Sequence, residues 1–224
     1  MDDLNSAHGK GTAIGIVADV SSSDDVKSLI DSTVEQLGPL SVMIANAGIA
    51  QVAPVLELTS SDVRKVFDVN FHGVFNCYAH AARQMIKQGP VPQGEPRYKI
   101  IGCSSIAAFK PFPTLAHYCA TKAAVRTFTH TFASEVARHK INVNCYAPGI
   151  VATPMWDLVD EKLGEIEGRP KGDSLKKYST ELTALGRASE PQDVADVVGG
   201  FLCGKDAEWV TGQTIVVDGG IVFS

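Results

Sequence analysis

The sequence has little of what marks a membrane protein, a secreted protein or a nucleic-acid-binding protein. No apolar run reaches the roughly 18–20 residues of a membrane-spanning helix, and the start, M-D-D-L-N-S, has no signal-peptide character. A net charge of −5 gives no electrostatic basis for binding nucleic acid or an anionic membrane. We therefore expect a soluble cytoplasmic protein, with neither a nucleic acid nor a membrane as partner.

The cysteines and histidines of the chain do not form the sequence patterns that are typical of disulfide frameworks or metal sites. The five cysteines are scattered, odd in number and without a C-x-x-C pair, which is typical of reduced thiols in a cytosol-like compartment. The six histidines do not fall at the spacings of metal ligands. The sequence thus predicts neither a disulfide framework nor a metal site.

What the chain does have is an alternation of apolar strands and amphipathic helices over its 224 residues. Such strands between helices are typical of a parallel sheet covered on both faces, so we expect one α/β domain over 1–224 with a doubly wound parallel sheet. The predicted strands are Thr12–Ala18, Val42–Ala45, Tyr98–Cys103, Ile141–Tyr146 and Thr214–Val217. The predicted helices are Ser23–Leu37, Thr59 to about Gln88, Leu115 to about His139, and Pro191 to about Cys203, with shorter pieces at Trp156–Glu167 and Leu175–Thr183 in a polar excursion, 155–186.

Polar residues follow several of these strands at their carboxyl ends, where doubly wound sheets bind ligands. They are Asp19, Asn46-Ala47-Gly48, Ser104-Ser105 and Pro148-Gly149. Each one alone is also an ordinary turn, cap or helix breaker. Their occurrence in order, each at the end of an apolar strand, indicates a ligand site.

A tyrosine and a lysine follow the serine pair on a predicted helix. Tyr118 and Lys122 are four residues apart and share one helix face, so the ammonium favours the ionised form of the phenol. Bringing the pKa of a free tyrosine from about 10 to neutrality takes roughly 4 kcal/mol. A desolvated, well-placed cation supplies part of that free energy.

Taken together, these motifs resemble the short-chain dehydrogenase/reductase family. The matching residues are Asp19-Val20, Asn46-Ala47-Gly48, Asn70 within D-V-N-F-H-G, Ser105, Tyr118 with Lys122, and P-G-I-V-A-T at 148–153. The resemblance covers the chain from about Thr12 onwards. It implies a Rossmann-like fold and an NAD(P)-dependent oxidoreductase.

The resemblance also implies a role for each matching residue. Tyr118 would be the general acid for carbonyl reduction and the base for alcohol oxidation, while Lys122 would lower its pKa and hold the nicotinamide ribose. Ser105, thirteen residues before the tyrosine, would hydrogen-bond the substrate oxygen, with Ser104 as its supporting neighbour. Asn70 would lie in a kinked long helix and order a water that relays protons to Lys122. The other residues expected to contact the cofactor, NAD or NADP with NAD slightly favoured, are Asp19, Val20, Asn46, Ala47, Gly48, Pro148, Gly149, Val151 and Thr153.

Within the family the sequence resembles the diacetyl/acetoin reductases, also called 2,3-butanediol dehydrogenases, in runs such as Y-A-P-G-I-V-A-T-P-M-W and V-D-G-G-I-V-F-S. Ile106, Phe112 and Trp156 then fall in a small substrate pocket under a lid, 155–186, although ordinary packing is an equal alternative for Phe112 and Trp156. Two other functions remain open: a different carbonyl substrate (a sugar, a polyol or a 3-oxoacyl thioester), and a non-catalytic homologue that pairs with complete chains. Helices 60–88 and 115–139 match the family's dimer interface, which predicts a homodimer or homotetramer.

The chain departs from the family before Thr12. The glycine-rich T-G-x-x-x-G-x-G turn that binds pyrophosphate is absent, and we expect roughly 60 residues and the first two strands to be missing at the N-terminus. In the family's sheet the two missing strands lie between the third strand, which is Thr12–Ala18 here, and the fourth, which contains Ile44. We therefore expect a gap of about 14 Å between these two strands and an exposed apolar edge on the strand of Ile44. The Thr12 strand must then detach, pair with that edge, or find a partner chain.

Overall fold

A computed structural model describes residues 2–91, 94–170 and 172–223. Its sheet has four parallel strands in the order β1 (Val42–Ala45), β2 (Tyr98–Cys103), β3 (Ile141–Pro148) and β4 (Thr214–Val217). The α-helices are α1 (Asp2–His8), α2 (Ser23–Leu37), α3 (Ser60–Phe67), α4 (Gly73–Gln88), α5 (Ala116–Val136), α6 (Pro154–Glu167), α7 (Asp173–Leu182) and α8 (Pro191–Ala195). π-Helical segments at Asp68–His72 and Asp196–Leu202 follow α3 and α8, and short 3₁₀ turns lie at Val55–Glu57, Ile106–Ala108, Ala137–His139 and Lys205–Ala207.

Helices cover both faces of this sheet. Successive side chains of a strand point to opposite faces, and the neighbours Ile100 and Ile101 of β2 accordingly belong to two different apolar clusters. The cluster around Ile100 includes residues of α2, α4 and α5, such as Val26, Met85 and Val125. The cluster around Ile101 includes Val198 and Leu202 of the π-helical segment after α8. The predicted doubly wound α/β architecture is therefore confirmed.

The predicted strand Thr12–Ala18 is wrong. Residues 12–18 form no strand, Val17 is fully exposed, and the backbone of Ala13 pairs with the side chain of Asn5 at 2.9 and 3.0 Å. An apolar run becomes a strand only where a neighbouring strand takes up its backbone hydrogen bonds, and none of the four described strands pairs with this segment. Of the three expected outcomes the segment shows detachment, and Ile44 on the edge strand β1 is 42% exposed.

The other predicted elements are present, with shifted ends. The helix expected from Thr59 to Gln88 begins with a capping box, in which Thr59 and Asp62 each accept the other's backbone N–H, and the π-helical segment then interrupts it. Strand β3 runs two residues beyond its predicted end, to Pro148. Both helical pieces expected in the excursion 155–186 form, as α6 and α7.

None of the helices in the described ranges combines the length and the apolar character that crossing a bilayer requires.

Candidate active site

The serine pair lies where β2 ends. Ser104 is fully buried: its N–H donates to the carbonyl of Tyr146 on β3 at 2.8 Å, and its hydroxyl donates to the carbonyl of Lys122 at 3.0 Å. Ser105 is extended, and its Oγ accepts the N–H of Ala107 at 3.1 Å, which caps the 3₁₀ turn that follows. Because an accepting hydroxyl still has its own proton to donate, Ser105 retains a donor, whereas Ser104 uses its donor on the scaffold.

Tyr118 and Lys122 lie one turn apart on α5, next to the end of β2. The Nζ of Lys122 is 5.6 Å from the centroid of the Tyr118 ring and donates to the carbonyl of Cys103 at 2.9 Å. Lys122 is buried, and Tyr118 is half-buried and lines the same cavity as Ser105. The structure therefore brings the predicted serine, tyrosine and lysine together.

The electrostatics of this pair differ in one respect from the expectation. Burial raises the pKa of the Tyr118 phenol above its ordinary value, although Lys122 and the hydrogen bond with Ser105 each lower it. Burial lowers the pKa of Lys122, but the interactions with Cys103 and Tyr118 raise it by more than burial lowers it. The net shift of the Lys122 pKa is therefore upward. At neutral pH the pair is thus a neutral phenol beside an ammonium, which is an arrangement that can donate a proton.

Asn70 lies in the π-helical segment and is fully buried. Its amide accepts the N–H of Ile49 at 2.8 Å and donates to the carbonyl of Ile49 at 2.9 Å and to Thr121 Oγ1 at 3.2 Å. A Cβ placed on Gly48 would lie 3.4 Å from Asn70 Oδ1 and 3.5 Å from Lys122 Nζ. Asn70 therefore joins the loop after β1 to α5, and Gly48 keeps a narrow space open beside Lys122.

The loops after β3 and β4 meet at Gly149. Its N–H donates to the carbonyl of Val217 at 3.0 Å, and a Cβ there would lie 2.7 Å from Asp218 Cβ. The buried carboxylate of Asp218 accepts the N–H groups of Gly220 and Val222 at 2.8 and 2.7 Å and so fixes this turn. Sequence reasoning did not assign Asp218 a role, although an aspartate before two glycines is a signal for a turn.

Of the other residues predicted to contact the cofactor, Pro148 ends β3 and Val151 pairs with Ser189 in an isolated bridge. Thr153 occupies the N-cap position of α6, and its hydroxyl donates to the carbonyl of Val151 at 3.3 Å. Asn46 and Ala47 are exposed after β1, and the hydroxyl of Tyr146 donates to the side chain of Asn46.

Asp19 and Val20 form a separate exposed turn. The carboxylate of Asp19 accepts from the hydroxyl and the N–H of Ser21, at 2.7 and 2.9 Å, and these hydrogen bonds lower its pKa. Val20 packs against Gly73, where a Cβ would lie 2.8 Å from its Cγ2, and its carbonyl accepts from Asn76 at 2.9 Å. The turn is therefore attached to the start of α4, immediately after the segment that carries Asn70.

A cavity of about 220 Å³ opens beside Ser105 and Tyr118, and all four residues predicted to contact the substrate line it: Ser105, Ile106, Phe112 and Trp156. The volume is below the roughly 300–1,000 Å³ of pockets for drug-sized ligands. Sequence reasoning missed the rest of the wall that α6 and α7 contribute, namely Met155, Val159, Leu163, Ile166, Glu167, Tyr178 and Leu182. Their spacing along α6 and α7 places them on one face of each helix, which is a signal that could have been used.

Part of the site fits the dinucleotide that the resemblance implies. An ammonium has three N–H donors, and within the described ranges the hydrogen bonds of Lys122 Nζ use one, on the Cys103 carbonyl. Gly48 leaves a narrow space beside Lys122, whereas the position of a Cβ at Gly149 is already taken up by Asp218. The remaining donors of Lys122 and the space at Gly48 suit a ribose. The described residues contain no turn of the T-G-x-x-x-G-x-G type.

Comparisons with known proteins agree with this geometry. A family model described as Enoyl-(Acyl carrier protein) reductase matches residues 2–222. The L-2,3-butanediol dehydrogenase of Corynebacterium glutamicum is 41% identical over 221 residues, which are 99% of this chain and 82% of that protein. The (S)-acetoin-forming diacetyl reductase of Staphylococcus epidermidis is 39% identical over 212 residues, which are 94% of this chain and 79% of that protein.

The fold agrees as well. The crystal structure of a gluconate 5-dehydrogenase from Burkholderia cenocepacia, in complex with NADP and tartrate, matches with a TM-score of 0.76 at 30% identity and covers 91% of this chain and 72% of that chain. The matches extend over nearly the whole chain, and the proteins concerned are dehydrogenases and reductases. The protein is therefore an oxidoreductase of the short-chain dehydrogenase/reductase family, whose members use NAD or NADP.

Proposed function

We propose that the protein interconverts a small ketone and a secondary alcohol, namely diacetyl, acetoin or 2,3-butanediol, with NAD(P) as the redox partner. The observation that carries the proposal is that Ser105 and Tyr118 share the wall of a small, mostly apolar cavity, with Lys122 behind the phenol. Two relatives at 39–41% identity are named for these substrates. An apolar pocket with few polar groups suits a four-carbon diketone or hydroxyketone better than a sugar.

In the proposed mechanism, the chain's own residues handle the proton and the substrate oxygen. Bound NAD(P) supplies the hydride for reduction and accepts it in oxidation. Ser105 donates a hydrogen bond to the substrate oxygen, and Tyr118 donates its phenolic proton to the same oxygen. Lys122 stabilises the phenolate by its charge and then passes a proton to it. Asn70 orders a water from which Lys122 takes a proton in turn.

We further propose that Lys122 holds the nicotinamide ribose and that the adenine half meets Asp19 and Val20. The remaining cofactor contacts are assigned to Asn46, Ala47, Gly48, Pro148, Gly149, Val151 and Thr153. NAD is favoured over NADP, because Asp24 and Asp25 in the first turn of α2 follow Asp19 closely and would repel an added phosphate. A comparison of KM for NADH and NADPH tests this preference.

We also propose a homodimer or homotetramer in the cytoplasm, with helices 60–88 and 115–139 at the interface. Phe75 and Ile86 on α4 are large apolar side chains that remain substantially exposed, as expected of a surface that another subunit covers. All five cysteines are free thiols, which suits a reducing compartment. Light scattering on the protein and on Phe75→Asp tests the interface: a monomeric wild-type protein excludes it.

The proposed chemistry is tested by following NADH consumption with diacetyl and acetoin. Tyr118→Phe removes the proton donor while keeping the ring, and we expect the rate to fall by about 10²–10⁴-fold. Tyr98→Phe is the matched control, because the hydroxyl of Tyr98 donates to the carbonyl of Gly89, outside the cavity. Full activity in Tyr118→Phe, or no turnover of diacetyl and acetoin by the wild-type protein, would rule out the proposal.

A further inference from the structure

The cavity is much longer than a four-carbon substrate requires. Residues of α6 line it from Met155 to Glu167, through Val159, Leu163 and Ile166. Twelve residue steps at about 1.5 Å each give a wall of about 18 Å along the helix axis. The carbon chain of diacetyl has three bonds of about 1.5 Å each, so it spans less than about 5 Å. Most of the wall therefore lies beyond the reach of diacetyl.

The extra wall is apolar and open. Leu163 and Ile166 of α6 line it, as does Leu182 of α7. Ile166 is 47% exposed although it lines the cavity, so its apolar surface is available to a ligand. Apolar surface of this kind is stabilised when a ligand removes it from water.

The scaffold of the lid holds this space open. The buried carboxylate of Asp160 on α6 accepts the N–H of Leu175 at 2.8 Å and that of Gly172, which fixes the start of α7 against α6. The chain between the helices folds back on Gly164, whose carbonyl accepts the N–H of Arg169 at 2.9 Å. A Cβ at Gly164 would lie 2.7 Å from the Arg169 carbonyl, so this close packing requires glycine.

Polar groups close the far end of the α6 wall. Glu167 accepts the hydroxyl of Tyr178 at 3.2 Å and pairs with Arg169 at 2.5 Å, and both Glu167 and Tyr178 line the cavity. An apolar group that reached this point would displace water from charged and hydrogen-bonded side chains without replacing their partners. The site therefore favours an apolar group of limited length.

From these observations we propose that the substrates include vicinal diketones and hydroxyketones with an unbranched apolar arm that lies along α6 toward Ile166 and Leu182. The inference rests on the proposed function, because it places the reacting carbonyl at Ser105 and Tyr118. It names a longer substrate class for the same site.

The test is a homologous series, from 2,3-butanedione to 2,3-octanedione, reduced with NADH and NADPH under identical conditions. Each methylene that enters the apolar wall should raise kcat/KM about threefold to fourfold, until the arm reaches Glu167 and Tyr178. A kcat/KM that is flat or falls beyond four carbons overturns this inference and leaves the proposed function intact. No reduction of any member of the series overturns the proposed function itself.

Two variants assign the effect to the wall. Ile166→Trp fills the space, and we expect the ratio of kcat/KM for octanedione to that for butanedione to fall at least about tenfold. Leu158→Trp is the control, because Leu158 lies on the same helix, is 44% exposed and does not line the cavity. Leu163→Ala, which enlarges the space, should move the optimum to a longer arm and serves if Ile166→Trp does not fold. Equal ratios in the wild-type protein and the folded wall variants overturn the assignment.

Discussion

A buried ion pair at the start of β2 leads to an asymmetric prediction for stability. Lys99 is 1% exposed, and its Nζ lies 2.8 Å from Glu208 Oε1 and 3.4 Å from the Ala207 carbonyl. The side chain of Glu208 is 37% exposed and also accepts the backbone N–H of Arg97 at 2.9 Å. The ammonium therefore lies in the protein interior, while the carboxylate is partly hydrated.

Removing the carboxylate should destabilise the fold more than removing the ammonium. In Glu208→Ala the buried ammonium loses its counter-charge and the Arg97 amide loses its acceptor, and breaking a buried pair in this way costs about 3–5 kcal/mol. In Lys99→Met a side chain of similar volume fills the space, and the carboxylate that remains is partly in water, so the cost is at most about 1 kcal/mol. For a chain of this size we expect Tm to fall by about 6–20 °C in Glu208→Ala and by less than about 4 °C in Lys99→Met.

Thermal unfolding followed by circular dichroism, with a urea titration at the same pH, measures both changes. Glu165→Ala is the control, because its partner Lys162 is largely exposed and the pair should contribute little. A Tm that falls as much in Lys99→Met as in Glu208→Ala would refute the reasoning.

The pH dependence gives a second check on this pair. Burial raises the pKa of Glu208, but the hydrogen bonds from Lys99 and Arg97 outweigh it and the net shift is downward. A carboxylate with a lowered pKa stabilises the fold fully above its ordinary pKa, and this stabilisation is lost as the pH falls through the lowered value. The Tm difference between the wild-type protein and Glu208→Ala should therefore shrink in acid.

Three further predictions concern the site and the sheet beneath it. Because burial raises the pKa of Tyr118, alcohol oxidation should accelerate from about pH 7 to pH 10 as phenolate forms, and an oxidation rate that is independent of pH contradicts this. Gly102→Ala would place a Cβ 2.3 Å from the Tyr78 hydroxyl and should destabilise the fold by about 1–3 kcal/mol in urea, with part of the loss recovered when Tyr78→Phe is added. Asp160→Ala releases the start of α7 and should raise KM by about threefold to tenfold, whereas Asp173→Ala, on the exposed first turn of α7, should leave KM unchanged.

Patterns of neighbouring residues were sufficient to predict helices, because a helix is defined by contacts within a short stretch of chain. The spacing of apolar residues in 23–37 and the capping box at Thr59 and Asp62 were sufficient for α2 and α3. Thr12–Ala18 has the same apolar character as β1, but a strand also needs a neighbour, and pairing is a property of distant parts of the chain. The irregularity of the helix at Asn70 followed from the family resemblance and not from periodicity, because a π-helical turn differs from an α-helical turn by one residue.

The sequence predicted where the site residues lie better than it predicted their pKa values. Residues at consecutive strand ends meet at one edge of a parallel sheet, which predicted the position of Ser105. The family resemblance placed Tyr118 of α5 beside it, and both residues line the cavity. The net direction of the Tyr118 pKa was not predictable, because it is a difference between burial and the charge of Lys122. The spacing in the sequence shows that the charge of Lys122 lies near Tyr118, but it does not show how deeply the phenol is buried.

The contacts of Lys122 indicate which direction of reaction the site serves at neutral pH. Its carbonyl accepts the hydroxyl of Ser104 and its ammonium donates to the carbonyl of Cys103, so both ends of one residue fasten α5 to the end of β2. This attachment buries the ammonium where its charge acts on Tyr118, and the burial of Tyr118 itself raises the pKa of its phenol. A phenol that stays protonated is ready to donate to a carbonyl, whereas oxidation must first remove its proton. We therefore expect reduction to be the faster direction at pH 7, and a faster oxidation of 2,3-butanediol than reduction of acetoin at that pH, with saturating cofactor, would contradict the argument.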